Sequence, residues 1–140
     1  MKGIDTLIKL HKRELDELRR RIGVFENQKQ QLVNLSHKLA EELKKEIEEA
    51  GKRPEMGQFF GGFAKRIKTR QENIATEIAA LDKKIDALTD EAREAFGELK
   101  KFELAKANAE KRAAKEAMRK ETIALDEIAS VQDRRKKKVT

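Results

Sequence analysis

Apolar residues return along this chain at alternating intervals of three and four, the spacing that brings one face of a helix repeatedly against another helix. From Ile4 the stripe continues through Ile8, His11, Leu15, Leu18, Ile22, Phe25, Lys29, Leu32, Ser36, Leu39, Leu43, Glu46 and Ala50. Ten of these fourteen positions are apolar, which favours a coiled-coil seam over a helix solvated on all sides. A second stripe of the same kind runs through Phe60, Ala64, Ile67, Gln71, Ile74, Ile78, Leu81, Ile85, Leu88, Ala92, Ala95, Leu99 and Phe102. Between the two lies the only strong break, Gly51-Lys52-Arg53-Pro54-Glu55-Met56-Gly57, followed by Gly61-Gly62. Pro54 cannot remain inside a helix without losing a backbone hydrogen bond, and Gly51 suits a left-handed C-terminal cap. The pattern therefore predicts a first helix over about 4–51, a corner at 52–58 and a second helix over about 59–137, all within one domain spanning 1–140. Gly23 and Gly97 each cost roughly 1 kcal/mol against alanine, too little to end a helix held by tertiary contacts.

A corner this short forces the two helices antiparallel, so residues that face each other have numbers adding to a constant. With a constant of 110 every seam residue meets another, giving layers such as Ile8 with Phe102, Leu15 with Ala95, Leu18 with Ala92, Ile22 with Leu88, Leu32 with Ile78 and Leu43 with Ile67. A constant of 117, one heptad displaced, is the alternative if Gly61-Gly62 lengthens the corner. The polar seam residues Lys29, Ser36 and Gln71 face apolar partners and fix register at some cost in stability. The fold class is thus all-α, a long two-helix antiparallel coiled-coil hairpin. Its first helix runs out opposite about residue 106, and the second overhangs by ~30 residues, roughly 45 Å at helical rise. A solitary helix buries little, so this overhang is expected to be ordered mainly when something else covers it.

Composition agrees with a linear core. Of the 140 residues 42% are charged and 38% hydrophobic, a poor basis for a thick globular interior. The absence of cysteine fits a reducing compartment. No window approaches the ~18 apolar residues of a membrane span, and Lys9 and Lys12 stand where a signal peptide would carry an apolar run, so a cytoplasmic protein is expected. The net charge of +7 is not spread evenly. Residues 1–51 carry 11 basic and 10 acidic groups, residues 59–104 carry nine of each, and residues 105–140 carry 11 against six, ending in Arg134, Arg135, Lys136, Lys137 and Lys138.

Catalytic chemistry finds no foothold. Ser36 and Ser130 lack a neighbouring base, no cysteine offers a nucleophile, and His11 and His37 lie about 39 Å apart along one helix, too far to share a metal. The glycine cluster follows no strand and lacks the Lys-Ser/Thr of a phosphate loop. No enzyme activity, cofactor, metal or small-molecule ligand is expected. Phe59, Phe60 and Phe63 crowd the corner, either capping the open end of the coiled coil or forming an apolar docking tip. The C-terminal basic run suits nucleic acid, acidic lipid or an acidic protein surface, with a solubilising tail as the plain reading. Residues 103–140 contain no aromatic residue for bases to stack on, which counts against nucleic acid.

The opening Ile4-Asp5-Thr6-Leu7-Ile8-Lys9-Leu10-His11-Lys12, with Leu15-Asp16-Glu17-Leu18-Arg19-Arg20-Arg21 after it, resembles the start of the flagellar export protein FliJ family. Size, two-helix organisation and the lack of a catalytic motif agree with that resemblance. It implies a non-enzymatic component of type III flagellar export, similar in shape to the coiled-coil stalk of a rotary ATPase. Such a protein works with the hexameric export ATPase, promotes its ring assembly, contacts the membrane export gate and export chaperones, and sits in the cytoplasm against the inner membrane at the flagellar base. The family's ATPase contact involves helix ends. On this chain that implies Met118, Ile123, Leu125, Ile128 and Val131 as apolar contacts and Arg134, Arg135, Lys136, Lys137 and Lys138 as electrostatic ones. Many relatives carry aromatic residues along the exposed coil, whereas this chain has no tyrosine or tryptophan, so no residue is assigned to the gate. The competing readings are an injectisome stalk, a coiled coil that dimerises through its overhangs, and a basic nucleic-acid-associated helical protein.

Overall fold

The computed structural model describes residues 2–139. The fold is all-α: helix α1 spans Lys2–Lys52, a 3-10 turn spans Pro54–Met56, and helix α2 spans Gly57–Val139, with α1 and α2 packed against each other. The chain divides into two compact units, residues 13–96 and residues 1–12 with 97–140.

The corner belongs to the first unit, and its geometry corrects the cap expected at Gly51. No glycine has positive φ, and α1 runs helically through Gly51 to Lys52. The stop is made by Arg53, the residue before Pro54, whose backbone leaves the helix at φ −132°, ψ 89°. The proline ring disfavours helical torsions in the preceding residue, so the break is steric and needs no left-handed glycine. The Arg53 amide still donates to the Glu49 carbonyl at 3.1 Å and completes the last turn. Pro54 sits at the first position of the 3-10 turn, where its missing N–H costs nothing. Gly57 donates its amide to the Pro54 carbonyl with right-handed torsions, φ −62° and ψ −26°, and so opens α2 directly. The second helix thus begins two residues before Phe59.

Burial follows the seam. Leu15, Leu18, Leu39, Ile67, Ile74, Leu88 and Ala95 are buried in the unit of residues 13–96, and Ile8 and Leu99 in the other. All nine are heptad positions. Around Leu39, Ile67 and Ile74 a continuous cluster forms with Leu32, Leu35, Leu43, Phe63 and Ile78 packed on it. Among the seam positions of α1 only Glu46 is exposed. Two helices enclose a stripe one or two side chains wide, which is why no side chain among the described residues is sealed below 2% exposure.

Cross-helix contacts report the register within each unit. In the unit of residues 13–96, Lys29 reaches Asp82 at 2.7 Å, and the Lys84 ammonium lies 5.5 Å from the Phe25 ring centre. In the other, Lys106 meets Asp5 at 2.7 Å, and His11 stacks on Phe102 with ring centres 5.0 Å apart and planes at 19°. The residue numbers add to 111 in both ion pairs, to 109 and 113 in the other two. These values bracket 110, whereas a heptad shift to 117 would set Asp5 opposite Arg112 and Lys29 opposite Leu88.

Candidate functional site

The overhang lies in the unit of residues 1–12 and 97–140. Ala109 is the last residue of α2 that is partly shielded, and every residue from Glu110 to Lys138 is exposed. The helix nevertheless continues without a break to Val139. Ala105, Ala107, Ala109, Ala113, Ala114 and Ala117 give this stretch high intrinsic helix propensity and a thin profile. Its exposed ion pairs are local, Arg119 with Glu116 at 2.8 Å and Lys137 with Asp133 at 3.8 Å, the one-turn spacing that supports an isolated helix modestly.

The large apolar side chains expected to make contacts are all open to solvent: Met118 69%, Ile123 46%, Leu125 60%, Ile128 55% and Val131 47% exposed. They do not share one face. With the heptad lettered a to g and a and d in the seam, Ile123 falls at d, on the line that continues Phe102 and Ala109. Met118 and Leu125 fall at f and Ile128 at b, on the outer side of the helix, and Val131 at e, flanking the seam. Five residues at about 100° each set Ile128 roughly 140° around the helix from Ile123. A shallow groove on the outer side is lined by Ala124, Glu127, Ile128, Val131, Gln132 and Arg135. Beyond Ala113 the seam line carries Glu116, Lys120, Glu127, Ser130, Arg134 and Lys137 at its a and d positions, with Ile123 as its one large apolar residue.

Lys136, Lys137 and Lys138 occupy the last turn of α2, where cations are favoured by the unpaired carbonyls and the negative end of the helix dipole. That placement accounts for a charge or two. Of the five consecutive cations, Arg134 to Lys138, Lys137 is paired with Asp133 one turn before it.

Two features escaped the reading of the sequence. The cross-helix ion pairs Asp5–Lys106 and Lys29–Asp82 were detectable as opposite charges whose numbers add to nearly 110. The hydrogen bond from Lys106 holds the Asp5 carboxyl below its ordinary value, and the same bond raises Lys106. The hydrogen bond to Asp82 likewise raises Lys29. Lys29 thus does not bury its charge in the seam, but carries it out to the rim, its stem covering the apolar stripe. At the corner the two readings of the phenylalanines divide: Phe60 and Phe63 are partly shielded, whereas Phe59 is 73% exposed.

Among the described residues no group of three or more His, Cys, Asp or Glu side chains converges as a metal site, and no helix is long and apolar enough to cross a membrane. The family model described as "Flagellar FliJ protein" matches residues 1–138. Comparison with curated proteins and comparison with solved structures each return no match.

Proposed function

Since the chain belongs to the flagellar FliJ family, a family of non-catalytic flagellar export components, we propose that it acts as the stalk of the hexameric export ATPase, with the overhang of α2 as its contact. In this role the protein hydrolyses nothing itself. It promotes assembly of the ATPase ring and links it to the export gate and to export chaperones, at the cytoplasmic face of the inner membrane.

The observation that carries the proposal is the distribution of exposed apolar residues on the overhang. Ile123 on the seam line, Val131 beside it, and Ile128, Leu125 and Met118 on the outer side together span about 220° of the helix circumference, wider than the ~100° stripe that one packed surface covers. A partner that surrounds the helix reaches both sides at once, and a ring is such a partner. Alanine-rich turns before Met118 keep the helix narrow enough to enter a central opening. The net positive charge of Arg134 to Lys138 adds attraction for acidic groups on that partner, felt over about 8 Å at physiological salt.

The test is hydrolysis of ATP by the cognate purified export ATPase, titrated with the full chain and with a chain truncated after Ala117. Stimulation by the full chain alone is expected. Equal stimulation by both would move the contact to another part of the chain, and absence of stimulation and of binding at low salt would remove the stalk role. A concentration-dependent doubling of mass that disappears on truncation would instead support pairing of two overhangs.

A further inference from the structure

The opening turns of α2, in the unit of residues 13–96, carry a concentration of charge that the chain averages conceal. Between Met56 and Gln71 there is no acidic residue, but there are Lys65, Arg66, Lys68 and Arg70, together with Phe59, Phe60 and Phe63. The three phenylalanines divide by heptad position. Phe60 lies at d and Phe63 beside the seam against the Leu39–Ile67–Ile74 cluster, whereas Phe59 lies at c and faces outward. Beyond Phe59 along the helix, Gly62, Lys65, Arg66, Thr69, Arg70 and Asn73 line a shallow open groove that runs about 16 Å from Gly62 to Asn73 at helical rise. Every one of these residues is exposed, and Lys65, Arg66, Lys68 and Arg70 form no ion pair with a described residue. Of the acidic residues near the corner, Glu55 lies in the 3-10 turn, and Glu46 and Glu49 of α1 line a separate groove on the seam side of Phe59 and Arg66.

We propose that this outward face of α2 binds the surface of an anionic lipid bilayer, with Phe59 inserted among the headgroups and Lys65, Arg66 and Arg70 against their phosphates. Charge complementarity selects the occupant: a 16-residue helical stretch with four cations and no anion gains from a surface that is negative everywhere, without needing charges at matched positions. An exposed phenylalanine beside those cations adds what electrostatics alone does not, burial of an apolar ring in the interface, as in helices that lie on membranes. The Thr69 hydroxyl and Asn73 amide fill the groove with neutral donors for headgroup oxygens. An acidic protein surface satisfies the cations but leaves the ring of Phe59 without a designated cavity. This site is separate from the overhang, and its assay requires no ATPase.

The chain contains no tryptophan or tyrosine, so Phe59→Trp supplies a single fluorophore at the point of insertion. The full-length protein is used with Arg134, Arg135, Lys136, Lys137 and Lys138 replaced by glutamine, which removes attraction of that run to the vesicles. Added vesicles of mixed phosphatidylglycerol and phosphatidylcholine should blue-shift the emission and allow quenching by brominated lipid, and pure phosphatidylcholine should do neither. Adding Lys65→Gln, Arg66→Gln and Arg70→Gln should weaken vesicle binding by roughly fivefold per charge, about a hundredfold together, with helicity unchanged because all three side chains are exposed. No shift with phosphatidylglycerol, or an equal shift with pure phosphatidylcholine, overturns the proposal. The same shift with soluble polyglutamate in place of lipid also overturns it, in favour of an acidic protein partner.

Discussion

Leu39 and Leu125 are the same residue in the same kind of helix, and the structure gives them opposite duties. Leu39 is 3% exposed at the centre of its cluster, with Ile67 and Ile74 beside it, whereas Leu125 is 60% exposed on the outer side of the overhang. Replacing a buried leucine by alanine loses the transfer energy of the deleted carbons and leaves part of a cavity, about 2–5 kcal/mol in globular cores. A core only two helices wide relaxes more readily than a globular one, so Leu39→Ala should cost about 2–3 kcal/mol, the lower part of that range. That lowers the melting temperature by roughly 10 °C for a chain of this size. Leu125→Ala removes little buried area and keeps a strong helix former, so its cost should stay within about 0.5 kcal/mol. If the overhang is the ATPase contact, Leu125→Ala should instead weaken that association by about tenfold, or 1.4 kcal/mol. Urea unfolding followed by far-ultraviolet circular dichroism measures the stability effects, because the chain has no tryptophan or tyrosine for intrinsic fluorescence. Equal losses from the two substitutions, or less than about 1 kcal/mol from Leu39→Ala, would refute the division between a seam that stabilises and an overhang that binds.

The register predicts that Leu18→Cys with Ala92→Cys forms a disulfide within one chain, while Leu18→Cys with Leu99→Cys does not; the reverse, read on a non-reducing gel, would mean a constant of 117. The ion pair of Asp5 with Lys106 makes the packing of α1's first turns acid-sensitive. Because the folded-state value of Asp5 is depressed, its stabilisation is complete above the ordinary carboxylate pKa of about 4 and is lost as pH falls through the lowered value. Amide exchange of residues 2–12, compared between wild type and Asp5→Asn, should therefore differ at pH 7 and converge below that value. For the pair of Lys29 with Asp82, Asp82→Lys should lower the melting temperature and adding Lys29→Asp should recover part of the loss, more at low salt than at high. Failure of the second change to recover anything would mean that the two side chains do not couple.

Much of the architecture could be read from residue order because a coiled coil is specified locally. Each heptad names its own buried positions, and a short corner makes the two helices antiparallel, after which one constant pairs them all. That logic identified all nine buried residues as seam positions and marked the start of the overhang to within a few residues, at Ala109 instead of residue 106. The exposure of Met118, Ile123, Leu125, Ile128 and Val131 followed from the same count, since nothing in α1 remains to face them. Their division between the seam line and the outer side was also legible from heptad positions, though a list of apolar residues does not display it.

What periodicity does not encode was settled by the three-dimensional arrangement. Gly51 has the composition of a helix cap, but the break belongs to Arg53, because the steric demand of Pro54 acts on the residue before it. Lys29 occupies a seam position by spacing, yet a flexible four-carbon stem lets its charge leave the seam for Asp82. Phe59, Phe60 and Phe63 divide by heptad position, but that Phe63 packs on the Leu39–Ile67–Ile74 cluster while Phe59 stays open to solvent depends on where the corner places α2 against α1. The sequence by itself thus determined the elements, their antiparallel pairing and the existence of an unpartnered helix, all of which depend on intervals along one chain. The tertiary structure alone decided where charges and rings point, because that depends on what the opposite helix leaves room for.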